Sequence, residues 1–161
     1  TVRRYLDIIA DPFMVRVLQP WHANLSKRQV KAPKVYFRDS GLLHLLSGID
    51  DYAGLLTHPR CGASWEGCAL EQVVQHLGAR EDQCYFWATH QGAELDLLVV
   101  RGRRRTGFEF KHSQTPALTP SMRTAMADLG LDRLWVIHPG AERYPLARGV
   151  EALPLKSLTS L

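Results

Sequence analysis

The sequence predicts an α/β sandwich, and three observations carry that prediction. The stretch from Gly92 to Lys111, read as QGAELDLLVV, RGRRRT and GFEFK, has the pattern of two antiparallel strands joined by a basic turn. A helical stripe closing at Gly78 precedes it, and a second, opening at Thr119-Pro120, follows it. An apolar strand, Leu134 to His138, comes next, so the order helix, three strands, helix, strand is that of an α/β sandwich in outline.

Strand side chains alternate with period two. In the first arm of the hairpin this places Leu95, Leu97 and Val99 on one face and Glu94, Asp96, Leu98 and Val100 on the other. In the second arm Phe108 and Phe110 point one way, and Glu109 and Lys111 share the opposite face. Arg101, Gly102, Arg103, Arg104 and Arg105 are too polar and too alike in charge for a core, and read as the solvated tip.

In chain order, Val2, Tyr5, Leu6 and Ile9 mark a short amphipathic helix over 1–10, stopped by Asp11-Pro12. Phe13 to Leu18 alternates as a strand ending in Pro20, and Lys34 to Phe37 gives a second strand after a basic loop, Trp21 to Pro33. Helix, strand, basic loop, strand is the second half of a winged-helix pattern, with the loop as wing; a plain hairpin packed on a neighbouring domain is the other reading. Asp39 or Ser40 caps a leucine-rich helix closed by Gly48, expected in the interior. Residues 49–63 read as an irregular linker, which divides the chain into an N-terminal segment over 1–48 and a domain over 64–161. Ser64 is the expected N-cap of the next helix, whose stripe is Leu70, Val73, Val74 and Leu77; Glu66 falls on that stripe, and Glu71 is expected in solvent. Gln83 to Ala88 reads as an aromatic strand, Met122, Ala125, Met126 and Leu129 as the buried stripe of a helix, and Val150 to Leu155 as a last strand.

With 161 residues and 45% apolar content the chain can fill a core, and twenty basic against sixteen acidic residues leave a modest +4. Positive charge gathers at Lys27, Arg28, Lys31, Lys34 and Arg38, and again at Arg101 to Arg105. Both clusters suit phosphate contacts, or are simply solvated loops. Three cysteines without C-x-x-C spacing give neither a disulfide framework nor a zinc site, which fits a reducing cytoplasm. No stretch has the roughly twenty apolar residues of a membrane span. Opening at Thr1 on helical pattern, the sequence reads as a piece of a longer protein.

The chemistry-bearing residues are Glu66, Asp96, Glu109 and Lys111. Hard divalent cations such as Mg²⁺ or Mn²⁺ take several oxygen ligands, and Glu66, Asp96 and Glu109 are the candidates. Such an ion activates water and stabilises the charge that builds on a phosphodiester under in-line attack, while Lys111 orients the water or balances that charge. The plainer alternatives are a helix-dipole acid for Glu66 and a surface ion pair for Glu109 and Lys111. His90 and His112 flank the hairpin as surface residues, and the four tryptophans read as packing.

The helix glutamate, the ELDLLV strand and the FEFK strand resemble the PD-(D/E)XK, restriction-endonuclease-like fold, with Asp96 as the D and Glu109-x-Lys111 as the (D/E)XK. RRYLDII, LQPWHANLSKRQVKAPKVYFRDSGLLHLLSGI and WEGCALEQVV resemble the C-terminal DUF4143 region of bacterial and archaeal AAA+ family ATPases. That resemblance implies an ATPase domain upstream in the same polypeptide, then a partial winged helix, then a nuclease-like module. No G-x-x-x-x-G-K-[ST] loop lies in these residues, so ATP binding belongs to the parent protein. The functions left open are a Mg²⁺- or Mn²⁺-dependent nuclease acting through Glu66, Asp96, Glu109 and Lys111, a non-catalytic DNA- or protein-binding module that couples the ATPase to a partner, and a structural or oligomerising tail. In the first two, Lys27, Arg28, Lys31, Lys34, Arg103, Arg104 and Arg105 are the expected nucleic-acid contacts.

Overall fold

Eight strands form a sheet in the order β2-β1-β3-β4-β5-β6-β8-β7. They are β1 (Val15–Pro20), β2 (Lys34–Phe37), β3 (Cys84–Ala88), β4 (Glu94–Arg101), β5 (Arg104–Phe110), β6 (Arg133–His138), β7 (Tyr144–Ala147) and β8 (Val150–Pro154). The helices are α1 (Ser40–Leu46), α2 (Tyr52–Thr57), α3 (Cys61–Leu77) and α4 (Pro120–Leu129). This computed structural model describes residues 4, 5, 8, 10, 13–22 and 29–161, so most of the helix expected over 1–10, and Lys27 and Arg28 of the basic loop, lie outside the described residues.

β3, β4 and β5 pair antiparallel, and β5, β6 and β8 pair parallel. Alternate residues of each central strand go to opposite faces, as β6 makes plain. Trp135 and Ile137 join Leu70, Val73, Phe86 and Phe108 under α3, while Leu134 and Val136 join Met122, Ala125 and Leu129 under α4. The result is a mixed α/β sandwich with a helix on each face of the sheet. α4 begins as its sequence asks, with the Thr119 hydroxyl accepting from the Met122 amide and Pro120 following. The β4–β5 turn is tighter than the expected five-residue tip. Arg101 pairs with Arg104, leaving Gly102 and Arg103 between them, and Gly102 has the positive φ of 62° that the first central residue of a II′ turn requires.

Several expectations differ from the fold. The leucine-rich α1 is not interior: Leu45 and Leu46 are exposed. The expected linker contains α2, and α3 starts at Cys61, so Ser64 lies inside the helix, with its hydroxyl 2.6 Å from His44 Nε2. β7 has no counterpart among the expected strands, since Pro145 interrupts its pattern.

Glu71, expected in solvent, is 6% exposed. Arg16 of β1 grips it with Nε donating to Oε2 at 2.7 Å and Nη2 to Oε1 at 2.9 Å, and Arg38 Nη1 adds 3.3 Å to Oε1. Helical periodicity alone missed this because α3 is covered on a second side by the β1–β2 hairpin. That hairpin joins the sheet through parallel pairing of Gln19 and Pro20 with Tyr85 and Phe86.

Burial pushes the Glu71 carboxyl up, but Arg16 and Arg38 outweigh it and hold the group below its ordinary 4.5. A carboxyl with a depressed folded pKa contributes stability that is complete above the unfolded value and lost as pH falls through the folded one. Glu71→Ala should therefore cost about 3–5 kcal/mol in urea denaturation at neutral pH, because Arg16 is left buried and unpaired. The variant should also lose part of the parent's destabilisation below pH 4.5.

Candidate active site

The β4–β5 ladder runs from Arg101↔Arg104 to Leu97↔Phe108, and the strands part beyond it. At the same place the β3–β4 register slips: Tyr85 faces Leu98 but Trp87 faces Leu95, so Asp96 and Leu97 together oppose Phe86. This bulge breaks the simple alternation read from the sequence. Leu95 and Leu98 pack under α4, whereas Leu97 and Val99 pack under α3.

The side chain of Asp96 then takes over from the backbone. Its Oδ2 accepts the Phe110 amide at 3.0 Å, and the residue is 7% exposed. Glu109 is 3% exposed, feels the Asp96 charge, and has Lys111 Nζ 2.8 Å from Oε2. Two buried carboxyl groups whose charges repel are relieved by taking up a proton. Burial, and then the Asp96 charge, push Glu109 up to about 8, outweighing Lys111. Burial, and then the Glu66 charge, also raise Asp96. The pair thus holds one proton near neutrality. For Lys111, burial acts to lower the pKa but the Glu109 and Asp96 charges prevail and raise it, so it stays an ammonium group.

Glu66 approaches from α3, its side chain 26% exposed. Tyr36 of β2 donates its hydroxyl to Glu66 Oε1 at 2.5 Å. Burial, followed by the Glu66 charge, raises the Tyr36 pKa and keeps it a donor. Lys34, also on β2, was expected in a phosphate-facing patch but is engaged by acids. Its ammonium contacts Glu94 closely and lies 3.6 Å from Glu66 Oε1 and 3.8 Å from Asp96 Oδ1. Lys34 and Tyr36 are two apart on one short strand, so strand periodicity places them on a common face; their nearness to the acids depends on hairpin docking that no local pattern encodes.

The structure thus brings Asp96, Glu109 and Lys111 together and joins Glu66 to them through Lys34. Among the described residues no three His, Cys, Asp or Glu side chains stand close enough to hold a metal ion as arranged. The donor chemistry fits a hard cation nonetheless: Asp96 and Glu109 are buried oxygen donors whose repulsion a proton now relieves.

Of the expected nucleic-acid contacts, Lys31, Arg103 and Arg104 are exposed. Arg105 is half-buried, its side chain donating to the Leu129 carbonyl at 2.7 Å. The five steps from Asp96 to Arg101 put the arginine turn about 16 Å from the acids along β4, at about 3.3 Å each. A cavity of about 480 Å³ opens at that arginine end, lined by Leu77, Arg101, Arg104, Arg133 and Trp135 among others. His90 is exposed, and the His112 ring lies 5.6 Å from that of Trp65. No described helix is long and apolar enough to cross a membrane.

The family profile "Domain of unknown function (DUF4143)" matches residues 61–158, and a second, "Domain of unknown function (DUF8612)", matches residues 1–53. An uncharacterized protein of Mycobacterium bovis and one of Mycobacterium tuberculosis are each 50% identical over 154 residues, covering 96% of this chain and 34% of the relative. The chain therefore spans about a third of the length of the curated relatives it matches. No solved structure matches it significantly.

A carboxyl with a raised folded pKa contributes stability that is complete below the unfolded value and lost as pH rises through the folded one. In metal-free buffer the unfolding temperature should fall as pH rises from 4.5 towards about 8, as the Asp96–Glu109 proton leaves. Glu109→Gln, which needs no such proton, should flatten that slope when unfolding is followed by circular dichroism.

Proposed function

The chain belongs to the DUF4143 family, and from that premise we propose that it is a PD-(D/E)XK nuclease-like module, a Mg²⁺- or Mn²⁺-dependent phosphodiesterase acting on nucleic acid. The single observation that carries this reading is the buried Asp96–Glu109 pair with Lys111 Nζ 2.8 Å from Glu109 Oε2. Asp96 and Glu109 would hold the metal, with Glu66 reaching it once freed from Lys34 and Tyr36. When bound, the metal supplies an activated water and a Lewis acid for the phosphoryl oxygen. The Glu109 and Asp96 charges raise the Lys111 pKa, so without metal it is an ammonium group. It is a fixed positive charge and hydrogen-bond donor, suited to orienting the attacking water and offsetting charge on the phosphate. The Phe110 amide fixes the rotamer of Asp96 and so the approach of its free oxygen.

Only about a third of the length of the curated relatives is represented here, which leaves room for the upstream AAA+ ATPase domain that family resemblance implies. In that whole protein the N-terminal segment is the remainder of a winged helix, β1 and β2 flanking its wing, and the module works on nucleic acid in the cytoplasm beside an ATP-driven partner domain.

A second reading, a binding module without chemistry, draws on a different observation. Arg103 and Arg104 are exposed, and Arg101, Arg104 and Arg133 rim the cavity at the end of the hairpin away from the acids. Such a module binds phosphate backbone through counterion release and has no use for a metal.

Calorimetry with Mn²⁺ should give binding to the parent chain that Asp96→Asn and Glu109→Gln abolish. Cleavage of single- or double-stranded substrates should fall about 10²–10³-fold in Lys111→Met, the size of loss that follows removal of one preorganised donor. Salt-dependent DNA binding by a folded chain that takes up no Mn²⁺ and cleaves neither DNA nor RNA would turn the assignment to the second reading. For either nucleic-acid role, Arg103→Glu with Arg104→Glu should weaken DNA binding and lower its salt slope by about 2, in proportion to the phosphates no longer neutralised.

A further inference from the structure

Lys34 reaches the acids from a different part of the chain. Glu66, Glu94, Asp96 and Glu109 lie within the segment matched over 61–158, whereas Lys34 and Tyr36 lie within that matched over 1–53. The delivery runs through backbone pairing and one buried ion pair. β2 pairs with β1 through Leu18↔Lys34 and Arg16↔Tyr36, and Arg16 is itself locked onto Glu71 of α3. Where Arg16 is clamped, Lys34 is aimed.

The ammonium of Lys34 lies within 4 Å of carboxylate oxygens on Glu66, Glu94 and Asp96, and 5.5 Å above the Phe86 ring. Burial acts to lower its pKa, but the Glu94 hydrogen bond and the Asp96 and Glu66 charges prevail, so the group is a full cation. Oxygens of the same acids are what a divalent ion would need, and two cations cannot share them without repulsion. Glu66 is further held by the Tyr36 hydroxyl, so both β2 side chains keep the third acid engaged.

Resting on the metal-site reading above, we propose that Lys34 is the resident cation of this acid cluster, so that the N-terminal segment competes with a divalent ion for the site and sets its metal affinity. Metal entry requires the ammonium to withdraw, which its flexible four-carbon stem and partial exposure allow. Any force that shifts the β1–β2 hairpin on α3 would then change the metal affinity of the domain without touching a ligand.

The test is Mn²⁺ calorimetry on the whole chain and on Lys34→Met, Lys34→Gln and Asp96→Asn, with folding matched by circular dichroism. Removing the ammonium should tighten Mn²⁺ binding about tenfold or more, the low end of what a neighbouring unit charge does to an ionic equilibrium. A merely structural role for Lys34 would loosen binding. If the parent chain binds Mn²⁺, Asp96→Asn abolishes it and both Lys34 variants bind equally or more weakly, the resident-cation proposal fails while the metal-site reading stands. Binding by the Lys34 variants alone supports both. Absence of binding in every folded variant overturns both. Lys34→Gln keeps a polar end, and decides the matter if Lys34→Met fails to fold.

Discussion

Two carboxylates that meet where a β-ladder ends are the constraint on which the rest of this structure turns. Had β4 and β5 stayed paired beyond Leu97↔Phe108, the Phe110 amide would have no need of the Asp96 side chain. Because the strands part there, Asp96 substitutes for a backbone acceptor and is pinned beside Glu109, both nearly out of reach of water. Burial of that kind is unfavourable unless charge is neutralised. The surroundings supply the neutralisation: a proton within the pair, Lys111 on Glu109, and Lys34 beside Asp96.

The seam between the two matched segments is electrostatic at both of its acids on α3. Glu71 is held by Arg16 and Arg38, and Glu66 by Lys34 and Tyr36. The two differ in consequence. The Glu71 pair with Arg16 is buried and bidentate, and Arg38 bridges Glu71 to Glu81, which suits a fixed joint. The Glu66 site is more exposed, and its ammonium is shared among three acids, which suits a contact that can be exchanged.

Much of the frame was legible in the sequence because it rests on local rules. The Thr119-Pro120 start, the Gly78 and Gly130 ends, the β5 alternation and the basic turn are each decided within a few residues. The family resemblance was legible as well, although its match spans 61–158 where 64–161 was expected, and the N-terminal stretches read as part of it fall within the second matched segment, 1–53. What escaped was decided at a distance. Glu71 looked solvent-facing because its partner lies 55 residues away, and the bulge at Asp96 was invisible because it is a property of β3 and β4 together. Leu45 and Leu46 looked interior because hydrophobicity alone does not say whether another element arrives to cover a helix. Lys34 was misplaced for a related reason: a lysine in a basic stretch reads as phosphate-facing until the hairpin carrying it is seen to dock over acids.

Formal charge in the acid cluster makes the final point. Glu66, Glu94, Asp96 and Glu109 face Lys34, Lys111 and one shared proton, leaving a single net negative charge. A divalent ion simply added to that set would overshoot neutrality, whereas one that displaces both the proton and the Lys34 ammonium leaves the net charge as it was. On the proposed metal-site reading, uptake would be an exchange of cations rather than the filling of an anionic hole. Since one of the cations that would be displaced is covalently part of the N-terminal segment, that proposal would link the position of the segment to the charge state of the site.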